Sequence, residues 1–439
     1  MLAHPRVTSH PMAIIHPFQA LRPTPANVDR VAAVPYDVVN AEEARALAAG
    51  NPLSFLHISR AEIDLPPDTD PYSDAVYAKA LENFNRLRRE APLVQEAVPA
   101  LYFYRLIMGG HAQTGLVAGY SVDEYDRDLI KKHERTRRDK EDDRTRHIAT
   151  LRAQTGPVFL TYRASKAVDA VADRVTACPP LFDFTAPDGI RHTVWTITGA
   201  DLAAVVEAFG QLPCLYIADG HHRAASAART RKALAGRGAT ESGVRSPESG
   251  VDTGPRTPDT GLEEADWFLA VAFPDDQVNV LPYNRVVRDL AGLTPQAFLA
   301  DVGTRFTVRA GAPSPAGKGE ASMYLGGTWY LVRLADKAQP ASGNVIDNLD
   351  VSLLQEHLLA PVLKIADPRT DKRIDFVGGI RGTGELEKLV NQGKAAVAFS
   401  LFPVRVDDLM RIADAGGTMP PKSTWFEPKL RDGLLSHLI

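Results

Sequence analysis

Apolar residues fall along this chain in short runs broken by Gly, Pro and Asn, and the spacing inside each run predicts its element. Ile14 to Leu21 reads as a short strand ahead of Arg22-Pro23-Thr24-Pro25. Val31 to Val39 is apolar, interrupted by Pro35, and ends at Asn40. Glu42 and Glu43 follow as they follow an N-cap, so a helix is expected to run to Ala49 and stop at Gly50-Asn51-Pro52. Ser54 to Ser59 reads as another strand. Tyr72, Val76, Ala80, Phe84 and Leu87 recur on one face of a helix spanning Tyr72 to Arg89. Leu101 to Met108 and Leu116 to Val122 flank Gly109-Gly110 as a β-hairpin.

Lys131 to His147 then carries no apolar residue. Strands are expected at Pro157 to Tyr162 and Val194 to Ile197, and a helix at Leu202 to Phe209. A buried strand, Cys214 to Ala218, comes next. Gly236 to Gly261 is rich in Gly, Ser, Thr, Pro and Arg and has no period, which predicts a disordered insertion. Strands resume at Trp267 to Phe273 and Asn279 to Val287, with a hairpin around Gly326-Gly327. From Asn348 onward helical and strand patterns alternate: Ser352 to Leu363, Ile374 to Val377, Glu385 to Asn391, Ala395 to Leu401 and Val406 to Ala413. The alternation predicts an α/β C-terminal lobe.

Length adds a domain count. The chain has 439 residues, about three times a single domain, and 44% hydrophobic composition supplies material for more than one core. The expected layout is a loose leader at 1–12, a main α/β lobe at 13–335 holding the insertion at 236–261, and the C-terminal lobe at 345–439. A net charge of −4 gives no basic field for nucleic acid or an anionic membrane, so neither is an expected partner. No run of about 18 apolar residues and no signal peptide is visible. Two distant cysteines, Cys178 and Cys214, exclude a disulfide framework and point to a reducing, cytoplasmic setting.

The chemistry concentrates after Cys214 to Ala218, where Asp219-Gly220-His221-His222-Arg223 leads into an alanine-rich stretch. This reads as strand, tight turn and helix. Gly220 permits the sharp turn, the first helical turn offers unpaired N–H groups and a partial positive charge, and Arg223 adds a planar fork for phosphate or carboxylate. The bland reading is an aspartate cap with two surface histidines. Adjacent histidines lack the i, i+4 spacing of zinc ligands and no third ligand is near, so zinc is not expected. Gly378 to Gly384 matches neither the dinucleotide fingerprint nor the P-loop, and neither NAD nor haem is expected.

Asp219 to Arg223 resembles the signature of the ParB/sulfiredoxin-like superfamily, which includes free serine kinases. The resemblance implies a ParB-like strand-turn-helix core, with nucleotide phosphates on the turn and helix start. Over nearly its whole length the chain resembles the domain-of-unknown-function family numbered one thousand and fifteen. The matching segments are Pro17 to Pro23, Val34-Pro35-Tyr36-Asp37-Val38-Val39, Asn51 to His57, His133-Glu134-Arg135-Thr136 and Met419 to Thr424. Such proteins are often encoded beside serine-biosynthesis genes, which suggests serine or phosphoserine as substrate.

Other polar residues join this picture as alternatives. Asp37, after a proline-shaped strand end, is a general base, a magnesium ligand or a turn aspartate. The charged run is a solvated helix or a loop closing over an anion, with His133, Glu134, Arg135, Thr136, Arg144 and His147 as candidates. Arg285, set in an apolar strand, is in a structural ion pair or on the ligand. Lys422 and Ser423 hold a phosphate or anchor a loop.

The leading expectation is a phosphotransferase using Mg2+ and a nucleotide, ATP or ADP, on a small hydroxyl metabolite such as serine. His221, His222, Gly220 and Arg223 position the phosphates, and Asp37 or Asp219 takes the hydroxyl proton. The alternatives are a phosphatase acting on a phospho-amino acid and a non-catalytic ParB-like nucleotide-binding regulator. The oligomeric state is left open.

Overall fold

Two adjacent, mostly buried segments make the backbone of the largest sheet. Leu101–Met108 and His111–Ser121 pair antiparallel across the Gly109-Gly110 turn, as expected. The computed structural model describes residues 13–90, 93–241, 264–334 and 344–439, with backbone alone for 236–241 and 334. The expected leader at 1–12 lies outside these residues, as does most of the expected insertion, whose first six residues continue the helix His221–Glu241.

The described residues divide into two compact units. One holds the chain up to Lys131, Arg135–Gln277 and Pro428–Ile439; the other holds Lys132–Glu134 and Val278–Glu427. The expected boundary near 335–345 is thereby corrected. The reason lies in the sheet of the second unit, where Tyr283–Val287 pairs with both Ile374–Gly378 and Val397–Leu401, and Glu320–Leu325 pairs with Val397–Leu401. Strands on both sides of the expected boundary share one ladder and cannot separate.

The sheet of the first unit is mixed and has nine strands. Across it run Ile130–Lys131, Leu215–Asp219, Val158–Tyr162, Trp267–Pro274, His111–Ser121, Leu101–Met108, Arg191–Ile197 and Phe182–Thr185, with Ile15–His16 added beside His111–Ser121. Leu215–Asp219 is parallel to Ile130–Lys131 and antiparallel to Val158–Tyr162. On one face, Leu160, Ile217, Phe268 and Ala270 pack with Ala224, Ala227 and Ala228 of the helix His221–Glu241. Alanines let that helix lie close to the strands, and burial of the joint face is the main stabilising term.

Helices assemble a second apolar cluster in the same unit. Asn40 caps Ala41–Ala48 in a reciprocal capping box with Glu43, the start that the sequence predicted. Asp74–Glu90 buries Val76, Tyr77, Ala80, Phe84 and Leu87; Tyr72 lies before it and is exposed. Ser54 to Ser59, expected as a strand, is a helical turn at Leu56–Ser59. The Ser54 hydroxyl accepts from the Leu56 N–H at 3.3 Å, and Phe55, Leu56 and Ile58 point into the cluster from one turn, a pattern that a six-residue apolar run cannot distinguish from a strand. Among the described residues no helix is long and apolar enough to cross a membrane.

Candidate functional site

The turn at Asp219-Gly220 is built as its sequence demands. Leu215–Asp219 is buried up to its last residue, the chain reverses at Gly220 with φ +91°, and the helix begins at His221. A side chain at 220 would meet only ordinary contacts, so the backbone conformation, not space, selects glycine. Four alanines of the first two helical turns are buried.

Asp219 accepts from the Gly220 N–H at 2.8 Å and from the Lys429 ammonium at 2.8 Å. Burial disfavours its charge, but Lys429 and Arg223 outweigh that and hold its carboxyl far below the usual carboxylate range. Asp219 is therefore a fixed anion and a poor proton acceptor.

Arg223 is buried, at 9% exposure. It donates to the Pro157 carbonyl and, at 3.3 Å, to Asp37. Each terminal nitrogen of its fork thus has one partner within the protein. Burial works against its charge, and Asp37, Asp219 and Asp432 around it keep it protonated. What Arg223 does is hold Asp37. One Asp37 oxygen is fixed by the guanidinium, the other has no donor among the described residues, and the side chain is 38% exposed. An oriented carboxylate open to solvent suits a base or a metal ligand.

His221 is buried and His222 half-buried; the His222 Nε2 accepts from the Arg137 N–H at 3.0 Å. This contact ties the motif to the charged run, which is a helix at Arg138–Leu151. The Ser226 hydroxyl donates to the Glu141 carbonyl, and Arg229 pairs with Glu141 and Asp142. The run has a buried face after all, made of polar contacts. Asp143 accepts from the Tyr77 hydroxyl at 2.7 Å and pairs with Arg144 at 2.9 Å. The Arg144 guanidinium lies 4.1 Å from the Tyr36 ring centre, and His147 Nε2 meets the Ile58 carbonyl at 3.1 Å. Burial, helped by Arg144, pulls His147 down to about 4, so it is neutral.

Two site residues escaped the sequence reading. Lys429 and Asp432 sit in the last segment, Pro428–Ile439, among Leu430, Leu434 and Leu435. Asp432 exchanges main-chain hydrogen bonds with Ala33, next to the Val34-Pro35-Tyr36-Asp37 loop. Its carboxyl accepts from the Tyr36 N–H and is pushed up to about 7 by burial, with Asp37 adding and Arg223 opposing. The available signal was charge planted in an apolar tail.

Arg135 is exposed, and the Thr136 hydroxyl donates to Glu141. His133 and Glu134 belong to the second unit, where the His133 carbonyl accepts from the Met419 N–H. That unit also gathers Arg285, Lys422 and Ser423. Arg285 is buried, donates to the Tyr283 carbonyl and, at 3.1 Å, to the Lys422 carbonyl, and lies 5.4 Å from the Phe376 ring. Among the described residues no carboxylate pairs with it, so the expected ion pair is replaced by main-chain carbonyls. Burial lowers its pKa to about 10. Ser423 donates to the Pro420 carbonyl at 2.6 Å.

Comparison with solved structures returns distant likenesses. SbnI with C-terminal truncation from Staphylococcus aureus is 12% identical, with a TM-score of 0.37 over 72% of this chain and 85% of that one. A free serine kinase in complex with AMP is 11% identical, with a TM-score of 0.31 over 71% of this chain and 86% of that one. A conserved hypothetical protein from Pyrococcus furiosus is 12% identical, with a TM-score of 0.32 over 72% and 93%. No curated protein matches the chain. Residues 15–352, well over half of the sequence, match one family throughout, and the chain belongs to that family, described as Protein of unknown function (DUF1015).

Proposed function

We propose that this protein is a phosphotransferase that moves a phosphoryl group between a nucleotide and a small hydroxyl-bearing metabolite. The observation that carries the reading is the start of the helix His221–Glu241. A positive-φ glycine opens a 21-residue helix whose first turn holds Arg223, and Arg223 fixes the solvent-open Asp37 beside it. Helix N-termini attract phosphates through N–H groups and dipole, and phosphoryl transfer asks chiefly for positioning and charge neutralisation. In this reading the phosphates lie on the first turn, flanked by His221 and His222. Asp37 receives the proton of the acceptor hydroxyl as its oxygen bonds to phosphorus and the bond to the nucleotide breaks. Asp219 stays ionised and keeps Lys429 in place. A magnesium ion would arrive on the phosphates; the donor-free oxygen of Asp37 fits one carboxylate ligand to an ion that keeps most of its waters.

The test is phosphorus NMR on the protein with Mg2+, ATP or ADP, and a panel of hydroxyl metabolites that includes serine. A new phosphomonoester signal is expected. Asp37→Asn should slow its formation about a hundred- to ten-thousandfold and leave nucleotide affinity nearly unchanged. Hydrolysis of phosphoserine without nucleotide would favour a phosphatase. Nucleotide binding with no turnover on any acceptor would favour a regulator.

A further inference from the structure

A cavity of about 360 Å3 in the first unit lies between the charged helix Arg138–Leu151, the helix Asp74–Glu90 and the turns at 58–72, and shares Tyr36, Ser59, Arg144 and His147 with a smaller pocket that reaches Arg223 and Asp432. Its walls carry four cations, Arg45, Arg60, Lys140 and Arg144, against two carboxylates, Glu62 and Asp143. His147, also on the wall, is neutral. The carboxylates are already engaged: Glu62 pairs with Arg60 at 2.9 Å, and Asp143 with Arg144 and Tyr77. Arg60 is held by that pair and Arg45 by the Ile63 and Glu62 carbonyls, but the other two cations are less engaged. Arg144 uses only its Nε on Asp143, and its two terminal amino groups have no protein acceptor among the described residues. Lys140 has a phenol, the Tyr72 hydroxyl at 2.7 Å, as its hydrogen-bond acceptor. Ser59, in the same wall, has a buried hydroxyl without a hydrogen-bond partner.

Buried donors are normally satisfied, and a buried hydroxyl without a partner beside excess positive charge in a cavity of ligand size marks a binding site. We propose that this cavity binds a compact dianion, a phosphate monoester or a dicarboxylate, held by the Arg144 fork, Lys140 and Ser59. Tyr36 and Tyr72 supply apolar walls for its carbon skeleton. The volume is at the small end for ligand pockets, which selects a metabolite over a peptide. The proposal does not depend on phosphoryl transfer at the Asp219–Arg223 turn.

Titration calorimetry on the full chain tests it with three probes: inorganic phosphate, phosphoglycolate and succinate. At least one should bind with one site per chain and raise the melting temperature. Arg144→Lys keeps a cation beside Asp143 and removes the fork. Ser59→Ala removes a hydroxyl that bonds to nothing in the free protein, so the fold should keep its melting temperature. Each should weaken the dianion about tenfold or more, and Lys140→Gln severalfold. Preference for phosphoglycolate assigns the phosphoryl group and preference for succinate the carboxylates. Nucleotide affinity, measured alongside, should be unchanged in Lys140→Gln, whose side chain lies outside the pocket that reaches Arg223, which separates this site from the one at the turn. Absence of binding by every probe at millimolar concentration overturns the proposal, and so does binding that all three variants leave intact.

Discussion

A carboxyl enclosed with another carboxylate and two arginines must settle on a protonation state, and Asp432 settles near neutrality. Burial and, less strongly, Asp37 raise it, Arg223 and Arg144 pull the other way, and the balance is a pKa pushed up to about 7. In the unfolded chain the same group titrates near about 3.9. The folded protein thus holds the extra proton between roughly pH 4 and 7, so this group's contribution is full below that window and is lost as pH rises through it. Urea midpoints of the parent, taken from pH 4.5 to 8, should fall more steeply than those of Asp432→Asn. Parallel curves would mean that Asp432 is ionised throughout. At this scale the motif Asp219–Arg223 was legible, because a glycine between a buried strand and an alanine helix leaves little choice. The partner of Asp219 was not legible: Lys429 lies 210 positions away, and only the folded chain brings them together.

Elements with an apolar stripe were readable, as Asp74–Glu90 and the hairpin at 101–121 show. The charged helix was not, since apolar periodicity is blind to a face that is buried through ion pairs and hydroxyls. Asp143 is the centre of that face, with Tyr77 and Arg144 both on its carboxylate. Removing one partner of a buried pair leaves the other charge uncompensated, at a cost of about 3–5 kcal/mol. Asp143→Ala should lower unfolding free energy by that order. Asp139→Ala, four residues earlier and pairing with the exposed Arg137, should change it by less than about 0.5 kcal/mol. Equal, small effects in chemical denaturation would return the run to a solvated surface helix.

Across the whole molecule the division into units follows strand pairing more than sequence distance, which explains why a boundary drawn from composition missed it. The closing segment Pro428–Ile439 belongs to the unit that holds the chain up to Lys131. Its main chain bonds with Leu21, Ala33 and Thr155, and His437–Leu438 pairs with Ala153–Gln154. Arg431 reaches Asp188 and His192. Gly433 makes this docking sterically feasible: its φ is +75°, and a Cβ would stand 2.2 Å from the Phe55 ring. Gly433→Ala should destabilise by at least about 1–2 kcal/mol from backbone strain alone, with the ring overlap added. A thermal melt at the parent value would show that the segment docks otherwise.

The return of this segment also sets a timetable. During synthesis, residues 13–277 leave the ribosome first and 278–427 follow. Lys429 and Asp432 emerge only after the second unit has been made. Until then Asp219 has no ammonium beside it, and the loop bearing Asp37 has no strand to lean on. A nascent or prematurely terminated chain therefore carries the motif without its electrostatic frame. Translation has to pass Asp432 before the charge cluster can close.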